Sequence, residues 1–111
     1  MWNLSIPYVL KYYIDTIVQP GYLFKYLPDG SPVGLANGKM IVVKTSGGNY
    51  AQPPMAYIDF HEPYLRGIFG FCGITDIQFI SAYMMDITPE LREQSIKAAI
   101  EQQIPPVIAK I

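Results

Sequence analysis

The chain has 111 residues, 50% of them hydrophobic and only 15% charged, with a formal net charge of −1. That length bounds it to one domain with a modest core, and the lack of any basic block speaks against nucleic acid or an anionic membrane surface as a partner. Its single cysteine, Cys72, rules out an intrachain disulfide and cysteine-based metal spacing.

The first basic residue, Lys11, follows the first apolar stretch, unlike the order in a secretory leader. The most apolar run, Ile68 to Ile74, is too short to cross a bilayer. A soluble, cytoplasmic chain with no membrane span is the expectation.

Ser5 can cap a helix and Pro7 suits its first turn. Apolar residues then recur at Val9, Tyr13 and Ile17 and at Leu10, Ile14 and Val18. Both rows predict one broad buried face, with Lys11 and Asp15 opposite and Pro20-Gly21 as the stop. From Tyr22 to Lys39 alternation takes over: Tyr22, Phe24 and Tyr26, a turn at Pro28-Asp29-Gly30, then Val33-Gly34-Leu35 and a turn at Asn37-Gly38. This pattern predicts an extended excursion or loose hairpin. Met40 to Val43 reads as a strand buried on both faces.

After a turn-rich loop from Gly47 to Pro54, a second helix is expected from near Asp59 to about Gly70, and a second main strand over Ile77 to Ala82. Thr88 is placed to cap a third helix, with Pro89 at its first position and Glu90 near its positive end. Ile96, Ala99, Ile100 and Ile104 form its stripe, and Pro105-Pro106 are expected to stop it. Strands alternating with helices predict an α/β fold with a parallel sheet. Two main strands make a poor sheet, so the first of them needs a partner.

No nucleophile–base pair stands out, and no catalytic residue is assigned. His61 is the only histidine, and no Gly-x-Ser-x-Gly elbow supports a hydrolase reading with Ser5 or Ser46. Cys72 has apolar neighbours and no basic one, which suits a buried structural thiol. Two loops carry more. Thr45-Ser46-Gly47-Gly48 follows a predicted strand at the end where open α/β sheets bind ligands, and paired glycines let backbone N–H groups approach a flat ligand. Taken alone, such a loop also reads as an ordinary turn. Met1-Trp2-Asn3-Leu4 places an amide and an aromatic ring ahead of a helix, suited to the polar edge and the face of a flat ring. It reads equally well as a frayed terminus.

Together these segments resemble one family. Met1 to Pro7 with Leu10-Lys11-Tyr12-Tyr13-Ile14-Asp15 is similar to a stretch of the FMN-dependent NADH-azoreductase and NAD(P)H quinone oxidoreductase family. So are Gly21, Phe24, Lys25-Tyr26, Gly30, Gly34-Leu35 and Gly38-Lys39; Ile41-Val42-Val43 with Gly47-Gly48; and Phe69-Gly70-Phe71 with Gly73-Ile74-Thr75-Asp76. The likeness runs in order along nearly the whole chain. It implies the C-terminal half of a flavodoxin-like three-layer fold, binding FMN in a homodimer. It further implies ping-pong hydride transfer from NADH or NADPH, through the flavin, to quinones or azo compounds.

Carried over by position, the resemblance makes Met1, Trp2, Asn3, Leu4, Thr45, Ser46, Gly47 and Gly48 the residues that hold the isoalloxazine ring. Phe24, Tyr26 and Tyr50 become candidates for the wall where nicotinamide or acceptor stacks. Ser46 stands where the family often has arginine, and Tyr50 near where some members have histidine. The resemblance also implies that the strand, phosphate loop and further strands of the family's front half are missing here. The isolated chain is then expected to bind FMN weakly or not at all. The alternative is a non-enzymatic fragment that pairs through an exposed strand edge with a second copy or a missing N-terminal half.

Overall fold

The computed structural model describes residues 1–111, and the first predicted helix contributes one of its best-buried side chains. α1 spans Tyr8–Ile17. Its inward row delivers Ile14, only 1% exposed, to a core shared with Ile6 and Leu65 and flanked by Leu10, Val18, Val42, Tyr64, Ile68, Phe69 and Phe79. Lys11 and Asp15 form the expected surface pair at 2.6 Å. Ser5 does not cap α1. Pro7 occupies the N-cap, with no side-chain cap bond, and the Ser5 hydroxyl instead donates to the Phe60 carbonyl at 3.3 Å.

The excursion is an antiparallel hairpin, β1 (Phe24–Tyr26) against β2 (Pro32–Gly34). Its position is fixed by Gly34, where a Cβ would run into the Cys72 backbone, and by the Ala36 N–H, which donates to the Cys72 carbonyl at 2.9 Å. β3 (Lys39–Thr45) and β4 (Asp76–Ala82) then pair in parallel, from Lys39 opposite Asp76 to Thr45 opposite Ala82. α2 (His61–Phe71) joins them.

α1 and α2 cover the sheet face that carries Val42 and Phe79. α3 (Pro89–Ala98) and the segment after it lie on the other face, where Ile96, Ala99, Ile100 and Ile104 meet Val43, Ile80 and Ala82 around an apolar cleft of about 200 Å³. The result is three layers, helix, sheet and helix, built on only two main strands.

Two expectations, one about this sheet and one about the last helix, are corrected. β3 is not buried on both faces: Val43 is 74% exposed, because the helices behind the sheet pack on β4 and only border β3 across that cleft. Nor do Pro105-Pro106 stop the last helix. A π-helical segment, Ala99–Gln103, widens the turn, and α4 (Ile104–Ala109) continues with both prolines in its first turn. Amides are unpaired in a first turn anyway, so the prolines cost little there. The Thr88 cap behaves as expected, its Oγ1 accepting from the Leu91 N–H at 3.1 Å with Pro89 at the first position.

The two sheet edges differ. Along β4, the Gln103 side chain accepts from the Ser81 N–H at 2.7 Å and donates to the Ser81 carbonyl at 2.8 Å, while Ser95 Oγ accepts from the Tyr83 N–H at 3.0 Å. An amide side chain thus stands in for a neighbouring strand. β3 has no such cover on its outer edge. The Cα radius of gyration is 16.2 Å, against about 13 Å for a compact domain of this length. Only 13 of 111 residues are buried, and many large apolar side chains, Tyr8, Tyr12, Tyr22 and Val43 among them, stay exposed.

Cys72 is fully buried, and burial pushes its thiol pKa up. We expect a disulfide reagent to leave it untouched in native buffer and to label it rapidly in urea. Fast native labelling would place it at the surface.

Candidate functional site

The two loops singled out from sequence meet. Both lie where the parallel strands finish, and the Met1 backbone nitrogen donates to the Thr45 carbonyl at 2.8 Å. Asn3 and Leu4 adopt left-handed backbone angles, φ +46° and +70°. The Trp2 N–H and carbonyl bond across the turn to Ser5, leaving the Trp2 ring 59% exposed beside the loop. Asn3 is also exposed.

A third loop, not picked out from sequence, completes the ledge. The amides of Met84, Met85 and Asp86 donate to the carbonyls of Gly48, Ser46 and Gly47 at 2.9, 3.1 and 3.1 Å. Met84 is left-handed at φ +62°. These residues follow β4 as Thr45–Gly48 follows β3, and that shared position at the ends of adjacent parallel strands was the available signal. The two glycines are used by the protein itself: a Cβ on Gly47 would run into the Asp86 carboxylate, and one on Gly48 would press the Tyr50 ring at 3.2 Å. Tyr50 therefore packs on the glycine loop.

The hairpin aromatics do not join the ledge. Phe24 is buried against Phe71 at a ring separation of 4.7 Å, so its face is unavailable for stacking. Tyr26 is exposed but shares the hairpin. The hairpin is pinned to Cys72 beyond the C-terminus of α2, at the sheet end where the strands begin. The seven-residue β3 separates the two ends by about 20 Å at about 3.3 Å per residue. Within one chain, Phe24 and Tyr26 do not wall a ligand held by the two loops.

The ledge fits a flat ring with polar edges. Ser46 is buried and its Oγ has no partner, an orphaned hydroxyl in the loop where a ligand group would satisfy it. The open cavity next to Trp2, about 390 Å³ and lined by Trp2, Asn3, Ser5, Ile6, Tyr8, Lys11 and Tyr64, does not reach Thr45–Gly48. No cavity is lined by both loops. The ledge is therefore open on one side. At the start of α3 the Leu91 amide is taken by the Thr88 cap, and at the start of α2 the His61 amide by Asp59 Oδ1, so neither helix start is left open in full for a phosphate.

His61 begins α2, buried, with Nδ1 unpartnered. Ser46 Oγ is equally unpartnered, so the two form no nucleophile–base pair. Burial holds the His61 pKa below its usual 6.5, helped by the charges at the Met1 nitrogen and Lys44 and opposed by Asp59 and Glu62. The unfolded chain therefore takes up a proton that the folded one resists. Stability contributed by neutral His61 is full above the unfolded value and is lost as pH falls below it toward the depressed folded value. Urea midpoints should drop between pH 7 and pH 5, and His61→Gln should flatten that drop. An equal slope in both proteins would remove His61 as the cause.

Comparison with known proteins agrees with this architecture. A family model described as flavodoxin-like fold matches residues 1–104. The chain belongs to the flavodoxin-like family. A flavodoxin-like relative named FMN-dependent NADH:quinone oxidoreductase, from Ralstonia nicotianae, is 47% identical over 100 residues, covering 89% of this chain and 48% of the relative. The structure of an azoreductase from Bacillus anthracis str. Sterne superposes with a TM-score of 0.79 at 35% identity, over 92% of this chain and 49% of that one. An FMN-dependent NADH-azoreductase from Bacillus anthracis str. Ames Ancestor, solved in complex with FMN, gives 0.77 at 31% identity, over 95% and 51%. The chain spans about half the length of the curated relatives it matches. The flavodoxin-like parallel sheet expected from sequence is borne out.

Proposed function

We propose that this chain supplies the ring-holding loops of an FMN-dependent oxidoreductase that takes reducing equivalents from NADH or NADPH and passes them to quinones or azo compounds. The observation that carries the reading is the meeting of Met1–Leu4 with Thr45–Gly48 at the C-terminal ends of parallel strands, in a chain 47% identical to a relative of that name. Bound FMN would supply the hydride chemistry itself.

This chain's part is to bind and orient. The carbonyls of Ser46, Gly47 and Gly48 are already taken by the Met84–Asp86 amides, and the Ser46 N–H by the Ala82 carbonyl, so the loop meets the ring with its remaining backbone N–H groups. Trp2 covers an apolar part of the ring and keeps water from it. Asn3 offers both a donor and an acceptor to the pyrimidine edge. The open edge of β3, with Ile41 and Val43 exposed beside it, is the surface on which further strands of a flavodoxin-like sheet would pair. Stacking of nicotinamide or acceptor by Tyr26 would need a hairpin brought in by a second copy, as in a homodimer.

The test is complementation. The purified chain is mixed with the part of the Ralstonia relative that lies outside the aligned stretch, and NADH-dependent quinone reduction is followed with FMN present. The expected result is turnover only when both pieces are present, lost on Gly47→Val. A mixture that binds FMN without turnover, or no association at all, would overturn the proposal.

A further inference from the structure

Lys44 breaks the apolar pattern of the inward face of β3, following Met40 and Val42 on that face. Its side chain is only 4% exposed. Nζ lies 3.2 Å from Asp59 Oδ2 and 3.7 Å from Glu62 Oε2, with the Tyr83 and Phe79 ring centroids at 5.3 and 5.8 Å. Stability alone is a poor reason for a lysine there, since a buried ion pair is often replaced by apolar side chains at no loss.

The connections of the pair suggest another reason. Asp59 is held at both oxygens, with Oδ1 accepting from the His61 N–H at 3.0 Å. The next residue, Phe60, donates its N–H to the Leu4 carbonyl at 2.9 Å and accepts at its own carbonyl from Ser5 Oγ. On the other side of Lys44, the Thr45 carbonyl accepts from Met1. A closed circuit thus runs from Lys44 to Asp59, Phe60, Leu4, back along the turn to Met1, and through Thr45 to Lys44. Asn3 and Leu4 are left-handed without being glycine, a conformation that persists only where the surroundings hold it.

We propose that Lys44 is a positioning residue: its ion pair with Asp59 fixes the Met1–Leu4 turn against the Thr45–Gly48 loop and so sets the geometry of the ledge. The flavin reading supplies the purpose of that ledge, while the positioning itself stands on the circuit. Without the Lys44 charge, the segment carrying Phe60 loses its anchor to the sheet, and the strained turn relaxes away from Thr45.

Trp2, the only tryptophan, lies in that turn and reports on it without any flavin. The experiment compares Lys44→Met, Lys44→Arg and the exposed control Lys39→Met. It reads Trp2 fluorescence anisotropy and acrylamide quenching, with far-UV circular dichroism as the check on folding. Lys44→Met should keep its dichroism, lose Trp2 anisotropy and gain quenching. Lys44→Arg should recover most of the wild-type signal, and Lys39→Met should match wild type.

Unchanged Trp2 in Lys44→Met would overturn the proposal, as would equal loosening in the Met and Arg variants. If Lys44→Met does not fold, Asp59→Asn takes its place: loosened Trp2 supports the proposal and unchanged Trp2 overturns it. A riboflavin titration of wild type separates the two readings. Loosening without any riboflavin binding leaves Lys44 in its role and sinks the flavin assignment, whereas riboflavin binding with unchanged Trp2 does the reverse.

Discussion

Riboflavin and FMN are expected to bind this chain equally well, with dissociation constants within about twofold, or roughly 0.4 kcal/mol. The two ligands share a ring and differ by a phosphate. On the proposed reading the residues that meet the ring are on the ledge, whereas the helix start next to it, that of α3, is filled by the Thr88 cap. A charge-assisted hydrogen bond contributes about 1.5–3 kcal/mol, so three of them would separate the two ligands by about three orders of magnitude or more. Parallel fluorescence titrations read the ratio directly. An FMN preference of about a hundredfold, roughly 2.7 kcal/mol, would reveal a phosphate site in these 111 residues.

Ile14→Ala should be the most damaging single truncation. Ile14 is 1% exposed and lies in the main core cluster, whose only other buried members are Ile6 and Leu65. Removing such a side chain costs about 2–5 kcal/mol, a large share of the about 5–15 kcal/mol of an ordinary domain. With so little buried here, the variant is expected to be unfolded in buffer. Val43→Thr, on the uncovered face of β3, should stay within about 0.5 kcal/mol of wild type. Urea unfolding followed by circular dichroism gives both values. Equal losses would mean that the β3 face is covered in solution.

The contrast between those two positions marks where sequence reading succeeds. Ile14 was legible because helical periodicity encodes which side of α1 is inward, although the row of Val9 and Tyr13, expected on the same buried face, is exposed; the Thr88-Pro89 cap was legible because its chemistry is local. Val43 was not: a β-branched run looks the same whether its second face is covered or open, and the cover depends on what packs there. Pro105-Pro106 misled for a related reason, since a π-segment immediately upstream shifted them into a first turn.

At the site, the two loops were legible through resemblance, but their joining bond from Met1 to Thr45 spans 44 positions and leaves no local trace. The anchoring of Phe60 to Leu4, the pairing of Lys44 with Asp59, and the backing of Gly47 by Asp86 are long-range in the same sense. Phe24 became a stacking candidate through the resemblance, and alternation served only to predict its hairpin. Alternation predicts which residues share a face, not that this face turns onto Phe71 at the far end of the sheet.

The account's central claim is that these loops hold a flavin ring, and amide shift mapping of the chain with lumiflavin, a ring without ribityl or phosphate, tests it most directly. Shifts should gather at Trp2, Asn3, Thr45, Ser46, Gly47 and Gly48, with Phe24 and Tyr26 silent. Shifts confined to the hairpin, or a silent ledge at saturating lumiflavin, would contradict it.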